Sequence, residues 1–547
     1  PYTMEPLPEE LRPVLDFCFI CAKRGPGLKA CGGCGVLAYC SRRCQQRDWQ
    51  RHKPSCPRWI FAAMDTGEAG SEGLRALLDV ALFDVNRPST TNGFTPLTLA
   101  CARGHLKVAQ VLIDKGAGVD VHDNNKRTAL MIASEQGDMK IVRALLDNGA
   151  DVNVQNKDGD STLMPACVKG RNDVLKVLLN KGADINMQDN DGYTALMVAC
   201  ELGHIDVVRT LLSKGANLNM QDGTGRTALV AACIQGHVDV VRALLKKGAD
   251  VNIQGNTGVT ALTVTCVNGH VDVVRVLLKR GADMNIQNDD GYTALMATCG
   301  KGYVDVIRAL LDNGADMSIQ ANDGYTALMT ACVQGHVGAV EVLLEKGADV
   351  NTQASDGYTG IMSACVKGNV DVIQFLIEKG ANVNMQNKAS HTAIMLACGG
   401  GHIRAIRLLL DNGANVNMRD KDGITALMLA CGHGRVDVVR VLIEKGADVN
   451  MQNNDGHTAL MFACGKGQVD VIQLMLDSEV DLNMQNKYGL TALMSACVQG
   501  HIDAVRLLLE KGADVNMLDS SEFTALMIAR DKGRADVIQV LLDNGAT

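Results

Sequence analysis

The stretch that decides the fold is the 33-residue unit NDDGYTALMATCGKGYVDVIRALLDNGADMSIQ, at Asn288–Gln320. Its threonine recurs every 33 residues to the end of the chain, and a serine fills the one gap. Self-similarity at a fixed period is typical of stacked repeats, because one unit cannot bury its apolar side chains alone. The sequence therefore predicts an all-α repeat solenoid with hairpin loops. The fourteen copies are marked by Thr95, Thr128, Ser161, Thr194, Thr227, Thr260, Thr293, Thr326, Thr359, Thr392, Thr425, Thr458, Thr491 and Thr524.

Each copy predicts a tight turn followed by two short helices. Gly291 suits the turn because it accepts positive φ, and Thr293 is placed to cap the first helix. Gly302 is predicted to end that helix. The second helix is predicted over Val304–Asp312, and Gly314 ends it.

The copies resemble the ankyrin repeat over roughly residues 87–547. The pattern TPLHxAAxxGH of that family reads TALMxACxxGH here. Methionine replaces the family's histidine in eleven copies, which favours apolar packing, and cysteine takes the second small position in twelve copies. Stacked helices lie about 8–10 Å apart, which is too far for a disulfide or a shared metal ion. We therefore interpret the cysteines as small buried apolar residues, and the recurring histidines fail as metal sites for the same reason.

Composition excludes several classes of protein. The 547 residues carry a formal net charge of −8, and there is no uninterrupted apolar run of 18 residues. The chain opens without a secretory signal, so its 19 cysteines indicate thiols and metal ligands rather than disulfides. These features favour a cytoplasmic or nuclear location, or both. The chain begins at Pro1 and ends inside a repeat at Thr547, which suggests cuts in a longer protein.

A short cysteine-rich segment precedes the repeats. Residues 1–17 are rich in proline and glutamate and predict a flexible lead-in. Seven cysteines and one histidine then form four pairs with two or three intervening residues, a spacing that aims both side chains of a pair at one ion. Eight ligands suffice for two closed tetrahedral zinc sites of structural type. The predicted ligands are Cys18, Cys21, Cys31, Cys34, Cys40, Cys44, His52 and Cys56.

Residues 18–56 resemble the MYND zinc finger in the string from Tyr39 to Cys56, which keeps the family's spacing of cysteines, tryptophan and histidine. The resemblance implies binding of short proline-containing peptides, with contacts from Gln45 and Trp49. Packing of a small core is the alternative role of Trp49. The resemblance also implies interleaved zinc sites, one formed by Cys18, Cys21, Cys40 and Cys44 and the other by Cys31, Cys34, His52 and Cys56.

Two further features of the N-terminal part bear on partners and boundaries. Residues 18–58 hold nine Lys/Arg against one acid, a balance of +8. This cluster is interpreted as a solvated face that attracts acidic peptides, and a nucleic-acid footprint is the alternative. Residues 57–90 are interpreted as a join and a degenerate first repeat that caps the array of residues 91–547.

The residue before each threonine is the candidate partner-binding position of the array. In ankyrin arrays the hairpin tips and inner helices make a concave face that binds partners. Aspartates stand two positions earlier at Asp191, Asp290, Asp323, Asp356 and Asp455. Tyrosine suits interfaces because it combines an apolar ring with a hydrogen-bonding tip, although covering of neighbouring loops is the alternative role. The residues are Tyr193, Tyr292, Tyr325, Tyr358, His391 and His457.

The sequence thus favours a non-enzymatic adaptor that binds other proteins through a zinc finger and a repeat scaffold. We expect no membrane, nucleic-acid or small-molecule partner. One alternative is a fragment of a larger protein whose SET methyltransferase domain lies outside this chain, since MYND fingers also occur beside such domains. Another is a nucleic-acid-associated regulator that uses the basic finger. Looser packing is also expected at Pro165, at Gly399–Gly401 and at Glu479-Val480.

Overall fold

The computed structural model describes residues 93–547 continuously, together with residues 4–6, 29–31, 38–39, 85–86 and 88. The short N-terminal pieces form three antiparallel strands in the order β1 (Met4–Pro6), β2 (Lys29–Cys31) and β3 (Ala38–Tyr39). Met4 pairs with Cys31, and Lys29 pairs with both Pro6 and Tyr39. Three residues of the lead-in expected to be flexible thus belong to an edge strand, where Pro6 is tolerated.

The repeats divide at residue 256 into two compact units. The first contains five pairs of helices over residues 93–256. Within this unit, first helices pack on first helices of the next repeat and second helices on second helices, which makes two layers. The helices are α1 Pro96–Ala102, α2 Leu106–Asp114, α3 Ala129–Gln136, α4 Met139–Asp147, α5 Leu163–Val168, α6 Asn172–Asn180, α7 Ala195–Glu201, α8 Ile205–Ser213, α9 Ala228–Gln235 and α10 Val238–Lys246.

The second unit contains nine pairs over residues 257–547 and repeats the same two layers. They are α11 Ala261–Asn268, α12 Val271–Leu278, α13 Ala294–Cys299, α14 Val304–Asp312, α15 Ala327–Gln334, α16 Val337–Glu345, α17 Gly360–Lys367, α18 Val370–Glu378, α19 Ala393–Gly400, α20 Ile403–Asp411, α21 Ala426–Gly432, α22 Val436–Glu444, α23 Ala459–Lys466, α24 Val469–Leu476, α25 Ala492–Gln499, α26 Ile502–Glu510, α27 Ala525–Asp531 and α28 Ala535–Asp543. The predicted all-α repeat fold is confirmed.

The repeated threonine begins each first helix in the predicted way. In α13 the hydroxyl of Thr293 accepts a hydrogen bond from the backbone N–H of Met296. This bond satisfies one of the donors that a helix N-terminus leaves unpaired. The side chain of Met296 is buried in the layer of first helices. At the far end of the second helix Gly314 adopts φ +90°, a conformation that glycine accepts without strain.

Hydrogen bonds tie each hairpin to the next. In the second unit, the backbone N–H of Asn322 donates to Asp290 at 3.0 Å. The side chain of Gln287 donates to the backbone carbonyl of Gly291 in its own hairpin and to that of Gln320 in the following one. The carbonyl of Asn285 accepts from the backbone N–H of Asp316. In the first unit Asn86 accepts an equivalent bond from Gly118, as a degenerate first repeat would.

The repeat marked by Ser161 departs from this pattern. Pro165 has no N–H to donate to Ser161, so α5 begins one residue later than its equivalents and has only six residues. The hydroxyls of Ser161 and Thr162 are buried without a hydrogen-bond partner. Such buried groups cost free energy, so this repeat is a weak point of the first unit. Faster local opening there stays a prediction.

The other two expected weak points differ from each other. Helix α19 runs through Gly400 and ends at Gly401 with φ +73°, like its equivalents. At the end of α24, Val480 donates to Ser478. The equivalent alanine elsewhere donates five residues back, as Ala315 does to Leu310. Glu479 stands where other repeats have the glycine that ends the helix, which explains the difference.

None of the helices in residues 93–547 is long and apolar enough to cross a membrane.

Candidate protein-interaction surface

The structure places the six predicted partner-binding residues of the array at equivalent points of their hairpins, each half-buried. Five of them reach a polar group in the next hairpin, and the contacts are described below. The alternative role, covering of neighbouring loops, is therefore part of what these residues do. Their partial exposure leaves the rest of each side chain facing solvent.

Tyr193 is covered by an arginine of its own chain. The guanidinium of Arg226 lies 5.5 Å from the centre of the Tyr193 ring, and one of its nitrogens donates to the tyrosine hydroxyl at 2.5 Å. The same guanidinium donates to Asp222 at 2.9 Å. Burial raises the pKa of Tyr193, although the charge of Arg226 opposes that shift. This tyrosine therefore braces two hairpins and has little free surface.

Tyr292 and Tyr358 have no such cover. The hydroxyl of Tyr292 donates to the Asp323 carboxylate at 3.2 Å. Burial raises its pKa, and the charge of Asp323 adds to the shift. Burial also raises the pKa of Tyr358, while a hydrogen bond with Asn387 opposes that shift. Both tyrosines also respond to the charge of Tyr325, so the three side chains are near neighbours.

The two histidines of the set also reach forward. The Nε2 atom of His391 lies 3.5 Å from a carboxylate oxygen of Asp420. The Nε2 atom of His457 lies 2.9 Å from the side-chain nitrogen of Asn486, which donates to it. A ring stack is absent at His457, but its ring lies 5.9 Å from that of Phe462 at a tilted angle. These contacts orient both imidazoles along the hairpins.

An apolar groove lies beside Tyr292. It has a volume of about 480 Å³ and is lined mainly by valines of α11 and its preceding hairpin. Val259, Val264 and Val267 contribute apolar surface, and Asp290 stands at its rim beside Tyr292. Concave apolar sites with a few polar groups are the usual shape of a binding pocket. This groove was not predicted from sequence, because it needs valines at three separated positions of one repeat.

The repeated cysteines are buried in the layer of first helices, as predicted. All twelve are free thiols. Burial raises the pKa of Cys101, Cys167 and Cys398 to about 12, and that of Cys332 still further. Thiols held protonated in this way are poor nucleophiles and metal ligands. The cysteines therefore act as small packing residues.

The recurring histidines have a structural role that the sequence did not suggest. The Nε2 atom of His204 lies 3.1 Å from the carbonyl oxygen of Val168, at the end of the first helix of the preceding repeat. His402 makes the same contact to Val366 at 3.1 Å. Because a carbonyl only accepts, Nε2 carries the proton in these contacts. Where asparagine replaces histidine, Asn369 donates to Cys332 and Val333.

The predicted zinc ligands fall almost entirely outside the described residues. Cys18, Cys21, Cys34, Cys40, Cys44, His52 and Cys56 lie outside, as do Gln45 and Trp49. Cys31 ends β2, and only its backbone is described. Chemically the donor set fits zinc, which prefers thiolate and imidazole ligands in tetrahedral sites. In the part of the array that the structure describes, no cluster of three or more acidic, cysteine or histidine side chains could hold a metal ion.

Comparisons with known proteins agree with both parts of the chain. The family described as ankyrin repeats (3 copies) matches eight overlapping segments that together cover residues 59–354 and 361–547. The MYND finger family, a zinc-binding family, matches residues 18–56. Among curated proteins, the SET domain-containing protein 14 of Caenorhabditis elegans is 34% identical over 68 residues, 12% of this chain. The chain covers 15% of the length of that relative. This chain belongs to the ankyrin repeat family and carries a MYND finger before its repeats.

Proposed function

We propose that this protein is a non-enzymatic adaptor that holds two proteins together. Both of its modules are typical protein-interaction modules. In this proposal the finger binds a short proline-containing peptide and the array binds a second protein. Because both sites lie on one chain, binding at one site raises the effective concentration of a partner at the other.

One observation carries the proposal for the array. The capping, packing and hairpin-tying residues are nearly the same in every repeat, whereas the residue before the threonine differs and stays half-buried. A position that served only the fold would be free to take one best residue throughout. Variation on a constant scaffold is what recognition of a particular partner requires. The proposed contacts are Tyr193, Tyr292, Tyr325, Tyr358, His391 and His457.

For the finger we propose two zinc ions held by the interleaved ligand sets. The register of the strands supports this arrangement. Lys29 pairs with Tyr39, so Cys31 is displaced from Tyr39 by two residues along the ladder, roughly 7 Å. Cys40 follows Tyr39 in the chain, on the side away from Cys31. Two ligands of one zinc ion bind it at about 2.3 Å each, so Cys31 and Cys40 are better assigned to different ions.

Binding of the peptide by Gln45 and Trp49 completes the proposal. Tryptophan offers a large apolar ring with one donor, and the glutamine offers both a donor and an acceptor. Proline-containing peptides are held well by aromatic residues, because their extended conformation is already formed before binding.

Affinity capture with the whole chain and matched variants tests this proposal. Trp49→Ala should lose one set of captured proteins, and the triple change of Tyr292, Tyr325 and Tyr358 to Ala should lose another. Tyr303→Ala is the matched control, since Tyr303 is an exposed tyrosine that precedes α14 rather than a hairpin threonine. If all three variants retain every partner, the adaptor proposal is wrong. Metal analysis of the folded protein should find two zinc ions per chain.

A further inference from the structure

Three consecutive hairpins of the second unit carry the sequence Asp-Gly-Tyr-Thr, at 290–293, 323–326 and 356–359. We infer that these hairpins bind a basic peptide in extended conformation, with an arginine or lysine side chain against each tyrosine. We call them the tyrosine ladder, defined by Tyr292, Tyr325 and Tyr358 with Asp290, Asp323 and Asp356. The inference deepens the proposed function, since it names the chemistry of the partner at part of the same surface.

The first unit shows twice what an aromatic residue at this position accepts. The guanidinium of Arg226 lies over Tyr193 at 5.5 Å from the ring centre. In the same way Arg127 lies over Phe94 at 5.8 Å. In both cases the arginine stands 33 residues after the aromatic residue, at the equivalent point of the next repeat. A cation over an aromatic face is attracted by the negative potential of the ring.

The tyrosine ladder lacks this internal cation. The residue 33 positions after Tyr292 is Tyr325, and the one after Tyr325 is Tyr358. The hairpins at 254–259, 287–292, 320–325 and 353–358 contain no lysine or arginine. Their ring faces are therefore open to a cation that a partner supplies.

Carboxylates along the ladder add charge complementarity. Asp290, Asp323 and Asp356 alternate with the tyrosines. The ion pairs described in residues 257–547 use other carboxylates, such as Asp312, which pairs with Lys346. Asp323 does accept a hydrogen bond from Tyr292, but its charge remains uncompensated. A cation on a tyrosine ring would thus lie beside an unpaired carboxylate, as Arg226 lies beside Asp222.

The neighbouring surface sets what else the peptide should contain. The valine-lined groove of about 480 Å³ meets the ladder at Tyr292, so it would take an apolar side chain next to the first cation. Lys301 follows α13 and Lys367 ends α17, so cations belong on the hairpin side of the peptide only. Lysines on the helix side repel a peptide that is basic on both edges.

The spacing of the repeats predicts the spacing of the cations. Stacked helices lie about 8–10 Å apart, and the hairpins follow the same repeat. An extended peptide advances about 3.3 Å per residue, so three residues span one repeat. The preferred sequence therefore has a basic residue at every third position, with an apolar residue beside one end of the basic run.

Fluorescence polarisation with the whole chain tests this inference. The probe is a labelled peptide with arginine at every third position, serine and glycine between, and leucine at one end. We expect binding that weakens as salt is raised, because exposed charges are screened. A peptide with glutamine in place of arginine should not bind. A peptide with arginine at every second position should bind roughly threefold to thirtyfold more weakly, since it loses the contact of one ring.

A self-closing variant gives the sharpest result. Tyr325→Arg would lay a guanidinium over Tyr292, as Arg226 lies over Tyr193, and should weaken peptide binding at least tenfold without lowering the melting temperature. Tyr303→Ala, outside the ladder, should leave binding unchanged. Failure of the probe to bind, or equal binding by the Tyr325→Arg variant, would overturn the inference.

The outcome can be separated from that of the proposed function. If the peptide fails but the triple tyrosine variant still loses a captured protein, the array binds a partner of other chemistry and only this inference falls. If the variant also loses no captured protein, both the inference and the proposed function of the array fall. Retained binding of the glutamine peptide would show that charge is not what the ladder recognises, and would also overturn the inference.

Discussion

The hairpins at 191–194 and 290–293 have the same sequence, Asp-Gly-Tyr-Thr, yet they present their tyrosines differently. Arg226 closes the first from the next repeat, whereas Tyr325 stands at that place after the second. The comparison teaches that the surface of a repeat array is decided by pairs of residues 33 positions apart. A tyrosine alone does not tell whether it braces the array or faces a partner.

The largest effect should come from removing the closing arginine. Arg226→Ala uncovers Tyr193 and leaves the carboxylate of Asp222, whose side chain is 2% exposed, without its charged partner. Loss of the ring contact and of the charged hydrogen bonds should cost about 2 kcal/mol. Hydrogen exchange of the amides in residues 222–227 should therefore accelerate about thirtyfold.

Arg242→Ala provides the control in the same repeat. Arg242 is 61% exposed and lies 3.9 Å from Asp239 within one helix, a contact worth only a few tenths of a kcal/mol. Equal acceleration of exchange in both variants would mean that the stack on Tyr193 contributes nothing particular, and the contrast between closed and open tyrosines would lose its energetic basis.

A middle-sized effect should separate two equivalent aspartates of the first unit. Burial would raise the pKa of Asp222, but hydrogen bonds from Thr224 and Arg226 lower it overall. Burial raises the pKa of Asp189, where Tyr193 follows in place of arginine. Asp222→Asn should cost about 1 kcal/mol, since the charged bond to Arg226 is lost. Asp189→Asn should be close to neutral, and urea unfolding of the two variants measures the difference.

The pH dependence of these two hairpins has opposite signs. The lowered pKa of Asp222 gives stability that is present above the unfolded-state pKa, about 4, and is lost as the solution becomes more acidic. The raised pKa of Asp189 gives stability that is present below about pH 4 and lost as the pH rises. Hydrogen exchange compared between pH 6 and pH 3.5, after correction for intrinsic rates, should show the 222–227 hairpin loosening relative to the 189–194 hairpin. The same response in both would contradict this assignment.

What could be read from the sequence follows from how local each feature is. The cap of Thr293 on Met296 and the glycine that ends a helix involve residues a few positions apart, so their pattern predicts them. The burial of Cys332 follows from the period. The stack of Arg226 on Tyr193 and the bond of His204 to Val168 join different repeats. These contacts depend on the layer geometry as well as on residue type, so the period alone did not indicate them.

The Ser161 repeat shows the same limit from the other side. Serine was taken as an equivalent of threonine, and Pro165 as a kink in the first turn. In the structure the two act together, because the missing N–H of Pro165 shifts the start of α5 and leaves the hydroxyl of Ser161 unpaired. Each residue is common at a helix start by itself. Only their combination at these two positions removes the cap.

The smallest effect should appear at Tyr292, the open member of the comparison. Tyr292→Phe removes a hydrogen bond to Asp323 that is exposed to solvent, so we expect a loss below about 0.5 kcal/mol. The ionisation of the tyrosine is a finer probe than stability. Burial and the charge of Asp323 raise its pKa, so the unfolded chain loses this proton first and the hairpin should weaken above about pH 10. Asp323→Asn should lower the titration midpoint of Tyr292, measured as the absorbance difference between that variant with and without Tyr292→Phe. An unchanged midpoint would mean that Asp323 does not bear on the ring, and the ladder would then lack the carboxylate that distinguishes it from a row of tyrosines.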